Sequence, residues 1–328
     1  LSLLATEKRN TRSIHIDSVS TLDMVRIINE EDKGVAAAVE SILPDVAKAI
    51  DAITERIRQG GRLFYMGSGT SGRLGILDAV ECPPTYSTDP DLVQGIIAGG
   101  YEAIFKAREG AEDSPELGAS DLAAKNLTAL DAVVGLSASG RTPYVVGGLT
   151  YAREKGALTI SVDASPDSLI AACSDIDICA IVGAEVITGS TRMKAGTAQK
   201  MILNMISTGT MIRLGKGYGN LMVDVKCSNK KLEERARHIV MEATGCNRDD
   251  AIKTLGQSQG NAKTAIVMIL LSIPAEEAKK RLDDAHGYVA NALQMDGKEV
   301  FKFAVSKVPE VIQEVLEQAG KTKEEIRY

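Results

Sequence analysis

The 328-residue chain has no tryptophan, and only four phenylalanines and eight tyrosines. That scarcity argues against a stacking platform for polysaccharide or single-stranded nucleic acid. Positive charge is also short: 38 Lys and Arg face 44 Asp and Glu, a net charge of −6. Nucleic acid and anionic membranes are therefore disfavoured, and any anion site has to be built locally. Cysteine is sparse and odd in number (Cys82, Cys173, Cys179, Cys227, Cys246), with no C-x-x-C. A disulfide framework or zinc site is not expected, and a reducing cytoplasm is. His15, His238 and His286 lie too far apart for paired-ligand spacing, so no metal is expected. The longest apolar run, residues 265–271, is too short to span a bilayer, and no secretory leader is read at the start.

What is present is ordinary for an enzyme: 44 % hydrophobic and 25 % charged residues, enough for one large or two smaller domains. The stretch around which the chain is organised is Arg62-Leu63-Phe64-Tyr65-Met66-Gly67-Ser68-Gly69-Thr70-Ser71-Gly72-Arg73. Residues 62–66 read as a buried strand, the Gly/Ser/Thr run as a turn, and the chain from Leu74 as a helix. Such a turn aims N–H groups and hydroxyls at one spot before a helix N-terminus, which suits a phosphate. Gly67, Gly69 and Gly72 also match G-x-G-x-x-G, but a dinucleotide site needs an acidic residue closing a second strand about 20 positions on. Asp89 and Asp91 lie near that distance but follow Pro83-Pro84-Thr85-Tyr86-Ser87-Thr88, which is no strand core. No Gly-Lys-Ser/Thr ends the loop, so a P-loop is excluded. The alternatives left are an idle Gly-rich turn and a phosphate-monoester loop carrying Ser68, Thr70 and Ser71.

Helical periodicity starts at a capping-box-like Ser20-Thr21-Leu22-Asp23 and runs through Val35, Val39, Ile42, Val46, Ile50, Ile53 and Ile57. Pro44 should split or kink it. Further strands are read at 93–98, 132–136, 157–162 and 176–182, with helices between them, notably at 102–110 and 144–155. This alternation predicts an α/β fold, a doubly wound parallel five-stranded sheet. The third strand repeats the first motif: Ser137-Ala138-Ser139-Gly140-Arg141-Thr142-Pro143 follows it and leads into a helix. Two hydroxyl-rich loops on one sheet favour a shared phosphate pocket built from Thr70, Ser71, Ser137, Ser139 and Thr142. Thr188-Gly189-Ser190-Thr191-Arg192-Met193-Lys194-Ala195-Gly196-Thr197 precedes a long helix, and from Lys230 onward the pattern is helical, with short helices at 249–255, 262–271 and 275–284.

The two loops and the 185–197 segment resemble the sugar isomerase (SIS) fold. Adding Glu81-Cys82-Pro83-Pro84-Thr85-Tyr86 and Thr6-Glu7-Lys8-Arg9-Asn10, the whole chain is similar to the N-acetylmuramic acid 6-phosphate etherase family. The resemblance implies a flavodoxin-like SIS fold with N-terminal helices over 1–60, a phosphosugar-binding domain over 61–229 and a small ubiquitin-associated-type helical domain over 230–328. It also implies a cytoplasmic homodimer without metal or other cofactor, acting on a phosphosugar in amino-sugar recycling. In the family, N-acetylmuramate 6-phosphate becomes N-acetylglucosamine 6-phosphate and D-lactate. By resemblance Glu81 is the proton donor and Glu112 the second catalytic carboxylate; Arg192 and Lys194 are candidates for the lactyl carboxylate.

These residue types suit the chemistry, because in the ring-opened sugar the C1 aldehyde acidifies C2–H. One carboxylate can remove that proton while a second, protonated one assists the C3 oxygen to leave, and water then adds in reverse. Glu81, beside Val80, Cys82 and Pro83, is the better acid, and Glu112, in an acidic segment, the better base. Asp113 or Glu109 remain alternatives to Glu112. An unbroken helix from Gly72 to Val80 would carry Glu81 about 12–14 Å away. A bend near Gly75 or a second subunit would have to bring it back. Rival readings are an aldose–ketose isomerase, a non-catalytic phosphosugar regulator and, third, a NAD-dependent dehydrogenase.

Overall fold

The computed structural model describes residues 7–225 and 230–294. Two helices come first, α1 (Thr21–Glu40) and α2 (Leu43–Arg58). The alternating region follows: β1 (Leu63–Gly67), α3 (Gly69–Tyr86), β2 (Val93–Ile97), α4 (Glu102–Phe105), α5 (Pro115–Ala124), β3 (Ala132–Leu136), α6 (Pro143–Glu154), β4 (Leu158–Asp163), α7 (Leu169–Ala172), β5 (Ile176–Cys179) and α8 (Lys194–Arg213). Among the described residues the rest is helical: α9 (Lys230–Thr244), α10 (Arg248–Gln257), α11 (Ala262–Leu271), α12 (Ala275–Asp284) and α13 (Val289–Ala292). None of these helices is long and apolar enough to cross a membrane.

The five strands are parallel in the order β2-β1-β3-β4-β5. β1, β3 and β4 are buried along their whole length, which is why they read as unbroken apolar runs. One face of the sheet packs on α1, α2, α3 and α8 through Val35, Val39, Ile53, Tyr65, Ile202 and Ile206. The other packs on α5 and α6 through Phe64, Met66, Leu122, Val133, Tyr144 and Leu149. After β1 the chain steps outward to β2 and then crosses back to β3 on the other side. That reversal opens a crevice at the carboxyl ends of β1 and β3, where doubly wound sheets bind ligands.

Ser20 caps α1, its Oγ accepting from Asp23 N at 3.1 Å, and Pro44 sits at the start of α2 and separates it from α1. The Gly-rich stretch departs from the expected turn with a helix only from Leu74, because α3 already begins at Gly69. Gly69 adopts φ +50°, and Gly72 packs so close to β2 that a Cβ there would lie 2.6 Å from Ile97 Cγ1. Its glycines thus bring the helix down onto the sheet rather than lengthening a turn. The helix expected over 102–110 is a single turn, α4. Helix α5, which no apolar stripe announces, crosses α6 where Gly118 and Gly147 let backbones touch: a Cβ at Gly118 would run into the Tyr144 carbonyl.

Helices α9 to α13 share a second core with Val223 and Val225. Asp224 joins this core to the end of α8, paired with Lys263 at 2.7 Å and Lys216 at 3.1 Å. The part of the 230–328 region beyond residue 294 lies outside the described residues, as do Thr6 and Cys227.

Candidate active site

Ser68 leaves β1 in extended conformation and stands at the N-cap of α3 without making a side-chain cap. The first backbone N–H groups of α3 therefore have no intrahelical or capping acceptor. At α6 the arrangement repeats, with Thr142 at the N-cap, no side-chain cap and Pro143 in the first turn. Elsewhere Ser20, Ser114, Ser168, Asn247 and Asn261 cap their helices with side-chain oxygens. Glu185 does the same for α8, accepting from Lys194 N and Ala195 N at 3.0 Å each. Helices α2, α4, α12 and α13 also lack a side-chain cap, but the uncapped starts of α3 and α6 face one cavity of about 390 Å³.

Ser68, Thr70, Ser71, Ser137, Ser139 and Thr142 all line that cavity. The structure thus brings together hydroxyls that lie about seventy residues apart in sequence. Ser137 Oγ lies 2.8 Å from Thr142 Oγ1 and 3.4 Å from Ser139 Oγ. Ser71 donates to Gln199 Oε1 at 2.8 Å, while the buried Gln199 Nε2 has no partner. Turning that amide over would make Nε2 the donor and leave the Ser71 proton for a ligand. Beneath the second loop, Asp163 accepts from Ser165 N at 3.2 Å and from the Ser168 hydroxyl. Burial pushes its carboxyl up to about 6, against hydrogen bonds from Cys179 and Ser168 that lower it.

The two expected catalytic carboxylates are placed differently. Glu112 stands in a 3-10 turn, Ala111–Asp113, and lines the cavity, with Ser68 Oγ donating to its Oε2 at 2.8 Å. Glu81 lies within α3, which continues unbroken through Pro83 and Pro84 to Tyr86. Twelve residues beyond Gly69 it is about 18 Å along the axis, exposed and outside the cavity's lining. No bend at Gly75 returns it. The apolar shelter expected from Val80 is also absent within one chain, since Val80 is 58 % exposed. Cys82 is buried instead, and burial together with the charges of Asp78 and Glu81 pushes its thiol up to about 12, which leaves it neutral and unreactive.

Arg192 is exposed and away from the lining. Lys194 is buried, its Nζ 2.8 Å from Glu31 Oε2 and also away from the cavity. Burial works against the Glu31 charge, but Lys194, Asn10 and Arg12 outweigh it and hold the carboxyl below its ordinary range. The lining also includes Asp113, the alternative to Glu112, together with Glu7, Arg141, Gly189 and Thr191, which the sequence reading does not assign to it. Among the described residues no group of three or more His, Cys, Asp or Glu is arranged to hold a metal ion. Asp89 and Asp91 precede β2, at the wrong end for a ribose, and β2 runs out into Ala98-Gly99-Gly100 with no acid.

A 2-1-3-4-5 parallel sheet with paired hydroxyl loops at its switch point fits a sugar isomerase (SIS) domain protein. The SIS domain model matches residues 114–208, and that of the glucokinase regulatory protein N-terminal SIS domain matches 45–153. The N-acetylmuramic acid 6-phosphate etherase of Clostridium beijerinckii is 59 % identical over 294 residues, covering 90 % of this chain and 97 % of that protein. Its counterpart in Escherichia coli strain 55989 is 57 % identical over 296 residues, covering 90 % and 99 %. The chain belongs to the N-acetylmuramic acid 6-phosphate etherase family. A solved phosphoheptose isomerase from Francisella tularensis superposes on 59 % of this chain and 100 % of its own, with 12 % identity and a TM-score of 0.45.

Proposed function

We propose that this chain is a carbon–oxygen lyase that cleaves the D-lactyl ether of N-acetylmuramate 6-phosphate, giving N-acetylglucosamine 6-phosphate and D-lactate. The observation that carries the reading is Glu112, set by Ser68 at the mouth of a cavity made of two hydroxyl loops and two uncapped helix starts. The phosphate lies between the loops, on hydroxyls and N–H groups of Thr70, Ser71, Ser137, Ser139 and Thr142. The sugar then extends toward Glu112, which removes the C2 proton of the ring-opened form. The electron pair moves into the C2–C3 bond as the C3–oxygen bond breaks, and the departing lactate oxygen takes a proton from Glu81. Water adds to the conjugated aldehyde by the reverse transfers, so no other cofactor enters the scheme.

Within one chain Glu81 is too far along α3 to serve that cavity, so a homodimer in which each Glu81 completes the partner's site is part of the proposal. So is the division into an N-terminal helical segment, a phosphosugar domain over 61–229 and a helical domain from 230. An isomerase on this fold would need no leaving-group acid, and a regulator would need neither carboxylate. Incubation with N-acetylmuramate 6-phosphate should release D-lactate; conversion to a ketose phosphate, or no turnover of that substrate, would reject the reading.

A further inference from the structure

The cavity's charge does not match its anion-binding loops. Glu7, Glu112 and Asp113 line it against one cation, Arg141. A carboxylate beside a phosphate dianion repels it, so these acids face the remainder of the ligand or they weaken binding outright. Glu112 has a hydrogen-bond donor in Ser68 and a place in the proposed chemistry, and Asp113 shares its exposed turn. Glu7 has neither. It arrives from the far N-terminal end of the described chain, and among the described residues its carboxylate has no hydrogen-bond or ion-pair partner.

The chain nonetheless holds Glu7 in place with buried contacts. Three residues on, Asn10 donates to Glu31 at 2.8 Å and to the Ala184 carbonyl at 3.2 Å. Arg12 pairs with the same Glu31 at 2.5 Å, and Ser13 Oγ donates to the Val186 carbonyl at 2.7 Å. Glu31 is fixed in turn by Lys194. This strap lies along the 184–189 segment, and a Cβ added at Gly189 would come within 3.2 Å of Glu7 Oε2. Gly189, at φ +76°, thus leaves room for the carboxylate.

We infer that Glu7 is a substrate-contacting residue that accepts hydrogen bonds from the sugar's hydroxyls and sets specificity for a sugar phosphate over inorganic phosphate. This rests on the phosphosugar reading of the cavity. A carboxylate can accept from two sugar hydroxyls at once, whereas inorganic phosphate seated in the loops has only its own P–OH to set against the repulsion. Discrimination therefore comes from one group that attracts the wanted ligand and opposes the unwanted one.

The two ligands should not weaken together, which separates a substrate contact from a structural role. Binding of N-acetylglucosamine 6-phosphate and of inorganic phosphate is measured calorimetrically for the full chain and for E7Q, so turnover is not required. E7Q should weaken the sugar phosphate roughly 10–100-fold, the span of a hydrogen bond to a charged group, and leave inorganic phosphate unchanged or tighter. E7D, which keeps the charge but shortens the reach, should weaken the sugar phosphate while leaving phosphate as poorly bound as in the parent. Parallel weakening of both ligands in E7Q would assign Glu7 to holding the strap, and no change in either would remove it from the site; both overturn the inference. If neither ligand binds the parent chain, the phosphosugar reading fails with it. If both bind and D-lactate is not released, only the reaction fails.

Discussion

If Glu81 and Glu112 belong to one reaction, the distance along α3 requires them to come from different chains. The twelve residues from Gly69 to Glu81 span about 18 Å, whereas a 390 Å³ cavity taken as a sphere is only about 9 Å across. E81Q and E112Q each remove one proton-transfer group and should each lower D-lactate release by about 10²–10⁴-fold. Co-expressing the two with different tags and purifying the mixed dimer changes the outcome. One cavity then holds an intact Glu112 and receives the partner's intact Glu81, while the other has lost both. The mixed dimer should recover about half of the parent activity, far above either variant alone. Recovery no greater than the average of the two variants would show that Glu81 does not act across a two-fold interface. Since α3 is unbroken, its assignment as the acid would fall as well.

S137A removes the hydroxyl of a buried residue, 3 % exposed, whose Oγ lies 2.8 Å from Thr142 Oγ1. A lost hydrogen bond to a charged phosphate, about 1.5–3 kcal/mol, should raise KM about 10–150-fold with kcat within a few-fold; a fall in kcat at unchanged KM would refute the phosphate assignment. Asp163 gives a pH test, since its carboxyl is raised from 3.8 to about 6 in the folded state. The folded chain then holds that proton more tightly, so the contribution is present below pH 4 and is lost as pH rises toward 6. Relative to D163N, the parent should lose up to about 3 kcal/mol between pH 4 and 7 in urea unfolding. A difference independent of pH would contradict it.

The sheet was legible because its central strands are buried on both faces, and Val133-Val134-Gly135-Leu136 admits few other readings. The hydroxyl loops were legible because each follows such a strand, and their meeting in one cavity follows from the strand order. Helix α5 was not, since close backbone approach at Gly118 leaves no apolar periodicity to read. Lys194 looked like a ligand-binding cation because its partner, Glu31, lies 163 residues earlier and nothing local marks the pair. Glu81 read as sheltered by Val80 because neighbours in sequence point to different sides of a helix. Glu7 carried one signal, its place in the Thr6–Asn10 stretch shared with the family, and no local pattern links it to a cavity some sixty residues on.

The central claim is that the ether is broken by elimination across C2–C3. Run in deuterated water enriched in heavy oxygen, the reaction should place deuterium at C2 and solvent oxygen at C3 of N-acetylglucosamine 6-phosphate. The lactate hydroxyl should keep the original ether oxygen, because only the bond to C3 breaks. Heavy oxygen in the lactate hydroxyl, with none at C3, would mean cleavage on the lactyl side and would contradict the account.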